Sequence, residues 1–268
     1  MENINIQVLV ATMNKTNPGC INLYKKMNLS TSAVIINQAS FMETFSKSNL
    51  TIISVIERGL SNSRNMALNH STEEVCVLAD DDIEYVSEYE EIIKKAYLAT
   101  PDADIIIFDY DTNDNHRKCT KLGKKIKKIG LLNSLKVSSV RITFKRKSIV
   151  VNDLKFDTNF GAGARFPAGE ENIFLIDCLN AGLKIYYNPQ VICKVTFDKS
   201  SWFNGYNEIY FKTKGAFAYK VFNWKYNLYI IQFIFRKHKR YKSEISALNA
   251  YKFMLKGISE YKNILCLN

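Results

Sequence analysis

The segment that most constrains this chain is Val75-Cys76-Val77-Leu78-Ala79-Asp80-Asp81-Asp82, an apolar run that stops at three consecutive carboxylates. Its length and its Val and Leu content predict a strand buried on both faces, as in a parallel sheet. Three acids at the carboxyl end of such a strand repel one another unless something positive sits there. In open α/β sheets that end of the strand faces the ligand crevice. An Asp-x-Asp pattern there points to a divalent cation carrying a phosphorylated ligand.

The surrounding sequence alternates. Residues Ile4–Ala11, Ala33–Gln38, Leu50–Ile56, Val75–Ala79 and Ile105–Phe108 read as strands, with a short polar connection after the first. The exit from the third, Arg58-Gly59-Leu60-Ser61-Asn62-Ser63-Arg64-Asn65, offers a Gly turn and a Ser N-cap that open a helix. Ile83–Leu98 predicts a second helix, ending before Pro101. Strands alternating with helices imply a largely parallel sheet with covered faces. Asp109, Asp111 and Asp114 make an acidic edge, and seven basic residues fall between Arg117 and Lys128. That stretch reads as a solvated hairpin or loop, with a polyanion or membrane contact as the competing reading. Val137–Phe144 reads as a further strand.

Composition matters chiefly through its asymmetry. The chain has 268 residues, enough for one large domain or a domain with an appendage. Its six cysteines are scattered without Cys-x-x-Cys or metal-like spacing, which suits reduced thiols in an intracellular protein. The start has no basic n-region, and no apolar stretch approaches the ~20 residues of a membrane span. The expectation is a cytoplasmic protein, with the inner face of the cell membrane as a second station. Residues 199–268 hold 13 Lys/Arg against 3 acids, so this quarter carries almost the whole net charge of +11. It also has both tryptophans and about half of the aromatic residues. A boundary is therefore expected near residue 200, dividing a domain at 1–198 from a basic, aromatic-rich helical region at 199–268. Phe222–Arg236 predicts a helix with a narrow polar stripe of Lys225, Gln232 and Arg236. Arg236-Lys237-His238-Lys239-Arg240 follows directly. Such a helix either packs onto the core or lies in an anionic lipid interface.

A second chemical constellation lies at Phe160-Gly161-Ala162-Gly163-Ala164-Arg165-Phe166-Pro167-Ala168-Gly169-Glu170-Glu171-Asn172. It reads as a Gly-rich loop opening a helix from about Glu171 to Asn180, with Gly182 as its C-cap. Carboxylates at a helix N-terminus are stabilised as anions, and an ionised carboxylate can accept a proton from a hydroxyl nucleophile. Taken alone, the pair is ordinary helix-start electrostatics; its interest comes from the Asp triplet.

Taken in order, these parts resemble the family-2 glycosyltransferases of GT-A fold. The matching stretches are Val8-Leu9-Val10-Ala11-Thr12, Gly59-Leu60-Ser61-Asn62-Ser63-Arg64-Asn65, Leu78-Ala79-Asp80-Asp81-Asp82, Gly169-Glu170-Glu171-Asn172-Ile173-Phe174 and Ala181-Gly182-Leu183-Lys184-Ile185-Tyr186-Tyr187. They cover about residues 4–195, and within the family the likeness is to small bacterial enzymes that build capsular and other surface glycans. The resemblance implies an α/β, Rossmann-like fold with a mostly parallel sheet flanked by helices, plus a C-terminal helical extension.

The resemblance also implies roles. Asp82 would bind Mn²⁺ or Mg²⁺ on the donor diphosphate, Asp80 would contact that metal or the ribose, and Asp81 occupies the variable position. Glu171 inherits the catalytic base, with Glu170 as the alternative. Thr12, Asn37, Gln38, Arg64 and Asn65 are placed for the nucleotide, and Gly161 and Gly163 for close approach to the sugar. The implied activity is metal-dependent, inverting transfer from a nucleotide-diphosphate sugar, UDP-linked, to a hydroxyl of a surface glycan or lipid-linked acceptor. The expected partners are that donor, that acceptor and a peripheral membrane contact, without nucleic acid. Three features depart from the family pattern: Glu171 where Asp is usual, Asn37-Gln38 where an acid usually reads the base, and no His just after the Glu pair. Two other classes compete. A nucleotidyltransferase needs a Gly-rich basic signature where this chain has Thr12-Met13-Asn14-Lys15-Thr16. A nucleic-acid binder would explain the basic C-terminus but not the two acidic clusters.

Overall fold

The computed structural model describes residues 4–114, 118–196 and 205–267. The first half runs β1 (Ile6–Met13), α1 (Asn17–Lys26), β2 (Ser32–Gln38), β3 (Glu43–Lys47), β4 (Leu50–Val55), α2 (Leu60–Asn69), β5 (Val75–Asp80), β6 (Ile83–Tyr85) and α3 (Tyr89–Ala99). Then come β7 (Ile105–Thr112), β8 (Lys127–Ile129), α4 (Leu131–Ser134), β9 (Ile142–Lys145), α5 (Arg146–Val151), α6 (Glu170–Asn180) and β10 (Ile185–Val195). Three helices finish the chain: α7 (Glu208–Phe222), α8 (Tyr226–Tyr241) and α9 (Ala247–Leu267).

All ten strands share one sheet, ordered β3-β4-β2-β1-β5-β9-β7-β10-β6, with β8 beside β10. Strands β4, β2, β1 and β5 are mutually parallel, as are β7 and β10, while β9 runs antiparallel between β5 and β7. The sheet is thus mixed and mostly parallel, as the alternation of apolar runs predicted. Period-two alternation sorts its core into two layers. Val8, Val10, Val75 and Val77 face α1 and α3, meeting Cys20, Leu23 and Ile93. Leu9, Cys76 and Leu78 face α2 and α6, meeting Leu68, Phe174 and Cys178.

Several local expectations are corrected. The connection after β1 is not short loop but contains α1, whose N-cap Thr16 accepts a hydrogen bond from the Gly19 amide at 3.3 Å. Ile83–Leu98 is not one helix. Its first residues alternate Ile83 in, Glu84 out, Tyr85 in, and they pair antiparallel with β10 as β6. The strand read at Val137–Phe144 starts only at Ile142, because Ser139–Arg141 form a 3₁₀ turn whose Ser139 and Arg141 side chains serve Asp80 and the buried Asp109. Asp109 is no exposed edge: it is fully buried and held by Arg141 Nη2 at 2.7 Å and by Tyr187 Oη at 2.8 Å. The helix read from Phe222 is interrupted, since Asn223 has φ 47° and a 3₁₀ turn precedes α8.

The three C-terminal helices pack on one another and on the α/β core. Phe211, Ile230, Phe233, Ala250 and Met254 form their own apolar centre. Glycines set the closeness of α7 to α9. A β-carbon on Gly215 would overlap the Met254 backbone, and one on Gly257 the Lys212 backbone. Phe217 and Tyr261 then join Phe160, Phe166 and Ile173, tying these helices to the loop before α6. The boundary expected near residue 200 lies outside the described residues. Among the described residues no helix is long and apolar enough to cross a membrane.

Candidate active site

Thr12, Asn37, Gln38 and Asp80 lie at the carboxyl ends of β1, β2 and β5. Parallel pairing of β1 with β5 sets Ala11 beside Asp80, and pairing with β2 sets Thr12 beside Asn37. The first turn of α2 and the loop leading into α6 close over this edge from one side. Leu60 donates its amide to the Ala162 carbonyl at 2.9 Å, and Ser61 Oγ donates to the Phe160 carbonyl at 2.6 Å.

Arg64 is the hub. Its side chain is 3% exposed, and its guanidinium donates to Asp80 Oδ1 at 3.0 Å and to Glu170 Oε1 at 2.8 Å. One buried cation therefore joins the first acid of the Asp triplet to the first acid of the Glu pair, 90 positions apart in the chain. Burial alone would weaken its proton affinity, yet Asp80 and Glu170, with Glu171 behind them, raise it further and keep it charged. Ser139 Oγ donates to the other oxygen of Asp80 at 2.9 Å. Asp80 is thus fixed in orientation at the end of β5, one third exposed.

Asp81 turns the other way. Its Oδ2 accepts from Thr12 Oγ1 at 2.5 Å and lies 3.3 Å from Lys15 Nζ. Asp82 sits in the turn between β5 and β6, partly exposed, and its carbonyl receives the Thr196 amide at 3.0 Å.

The two glutamates at the start of α6 differ in environment. Glu170 is 6% exposed and committed to Arg64. Glu171 keeps partial contact with solvent. Removal of its carboxyl from water raises its pKa to about 8; the charge of Glu170 adds to this, while Arg64, its backbone hydrogen bond and Lys214 of α7 act in the opposite sense. Burial in turn lowers the pKa of Lys214, although the two glutamates favour its charged form.

The remaining candidates shape the site from behind. Asn37 is fully buried and clamps the loop after β1, accepting the Lys15 amide at 3.1 Å and donating to the Lys15 carbonyl at 2.7 Å. Gln38 Oε1 accepts the Gly59 amide at 3.0 Å, fixing the turn that starts α2. Asn65 grips both polar groups of the Phe156 backbone, at 2.8 and 2.9 Å. Gly161 has φ +108°, and a β-carbon there would sit 3.1 Å from Ser61 Oγ and 3.3 Å from the Glu170 carboxyl carbon. Gly163 has φ +80° and packs on the Gly59 backbone. Gly169, with φ +100°, leaves room for Phe217 of α7 just before the glutamates. The Gly-rich loop therefore lies close to the glutamates and to α2.

Ser139 and Lys15 contact the Asp triplet and Lys214 acts on the glutamates through its charge, none of them foreseen. Nothing in the sequence singles out Ser139 or Lys214, which approach from a 3₁₀ turn and from a C-terminal helix. Lys15 carries a weak signal, as the basic residue directly after β1.

No family model matches the chain, and no curated protein sequence does. Among solved structures the chain is similar to S. aureus TarS residues 1–349, with 15% identity and TM-score 0.57, covering 82% of this chain and 66% of that one. The same protein in complex with UDP gives 16% identity and TM-score 0.57 over the same shares. In complex with UDP-GlcNAc it gives 14% identity and TM-score 0.65, covering 96% of this chain and 80% of that one. This chain thus spans just under two thirds of TarS 1–349 in two of these alignments. At such identities the likeness establishes architecture alone: the chain has a GT-A-like glycosyltransferase fold, with a mostly parallel central sheet and a C-terminal helical region.

Proposed function

We propose that this protein is a glycosyltransferase that moves a sugar from a UDP-linked donor to a hydroxyl of a surface glycan or lipid-linked acceptor. The observation that carries the reading is the Asp80–Arg64–Glu170 bridge, which joins the Asp triplet after β5 to the Glu pair that starts α6. The fold-level likeness to a protein crystallised with UDP and with UDP-GlcNAc supports the donor class.

The chain's residues fit a cation that arrives with its ligand better than a resident one. Among the described residues no group of three His, Cys, Asp or Glu side chains could hold a metal. Mg²⁺ characteristically takes one or two carboxylates and completes its shell with phosphate oxygens and water. Asp82, with Asp80 beside it, would supply those carboxylates for Mn²⁺ or Mg²⁺. The bound cation would neutralise charge developing on the departing nucleoside diphosphate.

The protein's own groups divide the remaining work. Asn37 fixes the loop after β1, Gln38 fixes the turn that starts α2, and Thr12 holds Asp81, around the place where the nucleotide would lie. Arg64 holds Asp80 and Glu170 in a fixed mutual orientation, and Asn65 grips the Phe156 backbone from the same helix. Glu170 is occupied by Arg64, which leaves Glu171 as the carboxylate able to take the acceptor proton. A raised pKa suits that task, because a stronger base removes a hydroxyl proton more readily. Attack by the deprotonated hydroxyl oxygen on the anomeric carbon, opposite the leaving diphosphate, inverts configuration there.

The test is a screen of nucleotide sugars for turnover and thermal shift, with Mn²⁺ and with Mg²⁺. A UDP-sugar that stabilises the protein only with metal and is turned over is the expected result. A folded protein that binds no nucleotide sugar under any of these conditions would overturn the proposal.

A further inference from the structure

Helix α8 has two apolar faces, and among the described residues only one of them is packed against other helices. Ile230, Phe233, Ile234 and Tyr241 are buried against α7 and α9. On the opposite side, Trp224 just before the helix and Leu228, Ile231 and Phe235 along it are 75%, 70%, 50% and 76% exposed. Their spacing of four, three and four places them in one line, about 16 Å long at 1.5 Å per residue. Large apolar side chains exposed singly need no explanation, but a continuous stripe does.

The charge around the stripe names the occupant. Between residues 209 and 243 the chain has nine Lys/Arg and no Asp or Glu. Lys239 and Lys242 continue the exposed line beyond Phe235, and Arg236 and Arg240 flank it, all of them exposed. Lys225 Nζ lies 4.9 Å from the Trp224 ring centre. An aromatic and aliphatic stripe continued by cations, with no acid among them, matches an anionic lipid interface. A second protein copy would instead set these cations against the same cations across a two-fold axis.

We propose that the Trp224–Leu228–Ile231–Phe235 face of α8 docks on an anionic membrane surface, its apolar side chains entering the headgroup layer and the following cations meeting lipid phosphates. This narrows the sequence-level expectation of a membrane contact somewhere in residues 199–268 to one helix face, and it stands independently of the proposed glycosyl transfer. The same α7 whose Phe217 packs against Gly169, just before the glutamates, also packs on α8. Docking through α8 would therefore hold the crevice in a fixed relation to the membrane.

The test is co-sedimentation of the full chain with phosphatidylcholine vesicles, with and without phosphatidylglycerol. Binding to the anionic vesicles alone, falling with salt, is expected. Leu228→Ser with Phe235→Ser should weaken it more than tenfold without altering the melting temperature or nucleotide-sugar binding. Lys239→Gln with Lys242→Gln should weaken it about 25-fold at low salt, about fivefold for each cation removed. Leu132→Ser with Val151→Ser, two equally exposed apolar residues elsewhere, should leave it unchanged. Absence of vesicle binding, or equal binding by the α8 and control variants, would overturn the proposal. So would a dimer in sedimentation velocity that Leu228→Ser with Phe235→Ser dissociates while wild type ignores vesicles.

Discussion

Replacing Arg64 by Leu removes the cation that joins the two acidic clusters. Glu170 is left with its side chain 8% exposed and its partner gone. Breaking a buried ion pair from one side costs roughly 3–5 kcal/mol, because the surviving charge has neither water nor a counter-ion. Asp80 adds less, since a third of its side chain meets solvent and can rehydrate. Arg64→Leu should therefore destabilise the protein by about 3–5 kcal/mol in equilibrium urea denaturation. Arg64→Lys should fall between wild type and Leu, as one ammonium cannot reproduce the two-armed fork. The decisive comparison is the double variant Arg64→Leu with Glu170→Leu. It removes the stranded carboxylate and fills its place with an apolar group of similar size, so it should be more stable than Arg64→Leu alone. The coupling energy should be on the order of 2–3 kcal/mol. Additive losses, or an Arg64→Leu cost under about 1 kcal/mol, would refute the picture of a buried bridge.

Four further outcomes follow from the structure. If Glu171 must be ionised to accept a proton, transfer should rise with pH through a midpoint above the ordinary carboxylate range, and Glu171→Gln should abolish both rate and slope. The same raised pKa makes the folded state favour the protonated form, so its stabilising contribution is complete below the unfolded value. That contribution is lost as pH rises through the folded value, and Glu171→Gln should flatten this part of the stability profile in pH-dependent melting. Chelation by EDTA should stop turnover, and added Mn²⁺ or Mg²⁺ should restore it, with the melting temperature of the ligand-free protein unmoved. Gly215→Ala should destabilise by about 1–3 kcal/mol or more, because α7 and α9 must separate to admit the methyl group, a loss measurable by denaturation.

The sheet's core was legible because burial on both faces leaves a simple signature. Strands β1, β2, β4, β5 and β7 are near-continuous apolar runs, and the acids after Ala79 mark where one of them leaves the core. Elements formed by tertiary demand were not legible. β3 pairs in a hairpin with β4 although its residues are mostly exposed, so no periodic apolar pattern betrays it. β6 is three residues long and exists because β10 reaches it. The gathering of acids at one edge was readable from the order of motifs, but its physical means was not. Arg64 read as a ligand-binding cation; it is a buried counter-ion, 3% exposed, with its Nε lacking a hydrogen-bond partner. Asn37 and Asn65 likewise read as nucleotide contacts, and both spend their amide groups on backbone that only the folded chain brings near. Ser139 and Lys214 could not be found at all, since each reaches the site across long stretches of chain.

The central claim is that carboxylates from β5 and from α6 serve one bound sugar nucleotide in separate capacities. Calorimetric titration of UDP in the presence of Mn²⁺, paired with a transfer assay, separates those capacities in two variants. Asp82→Ala should lose metal-dependent affinity, whereas Glu171→Gln should bind UDP as tightly as wild type and transfer nothing. Unchanged UDP affinity in Asp82→Ala, or full transfer by Glu171→Gln, would contradict the account.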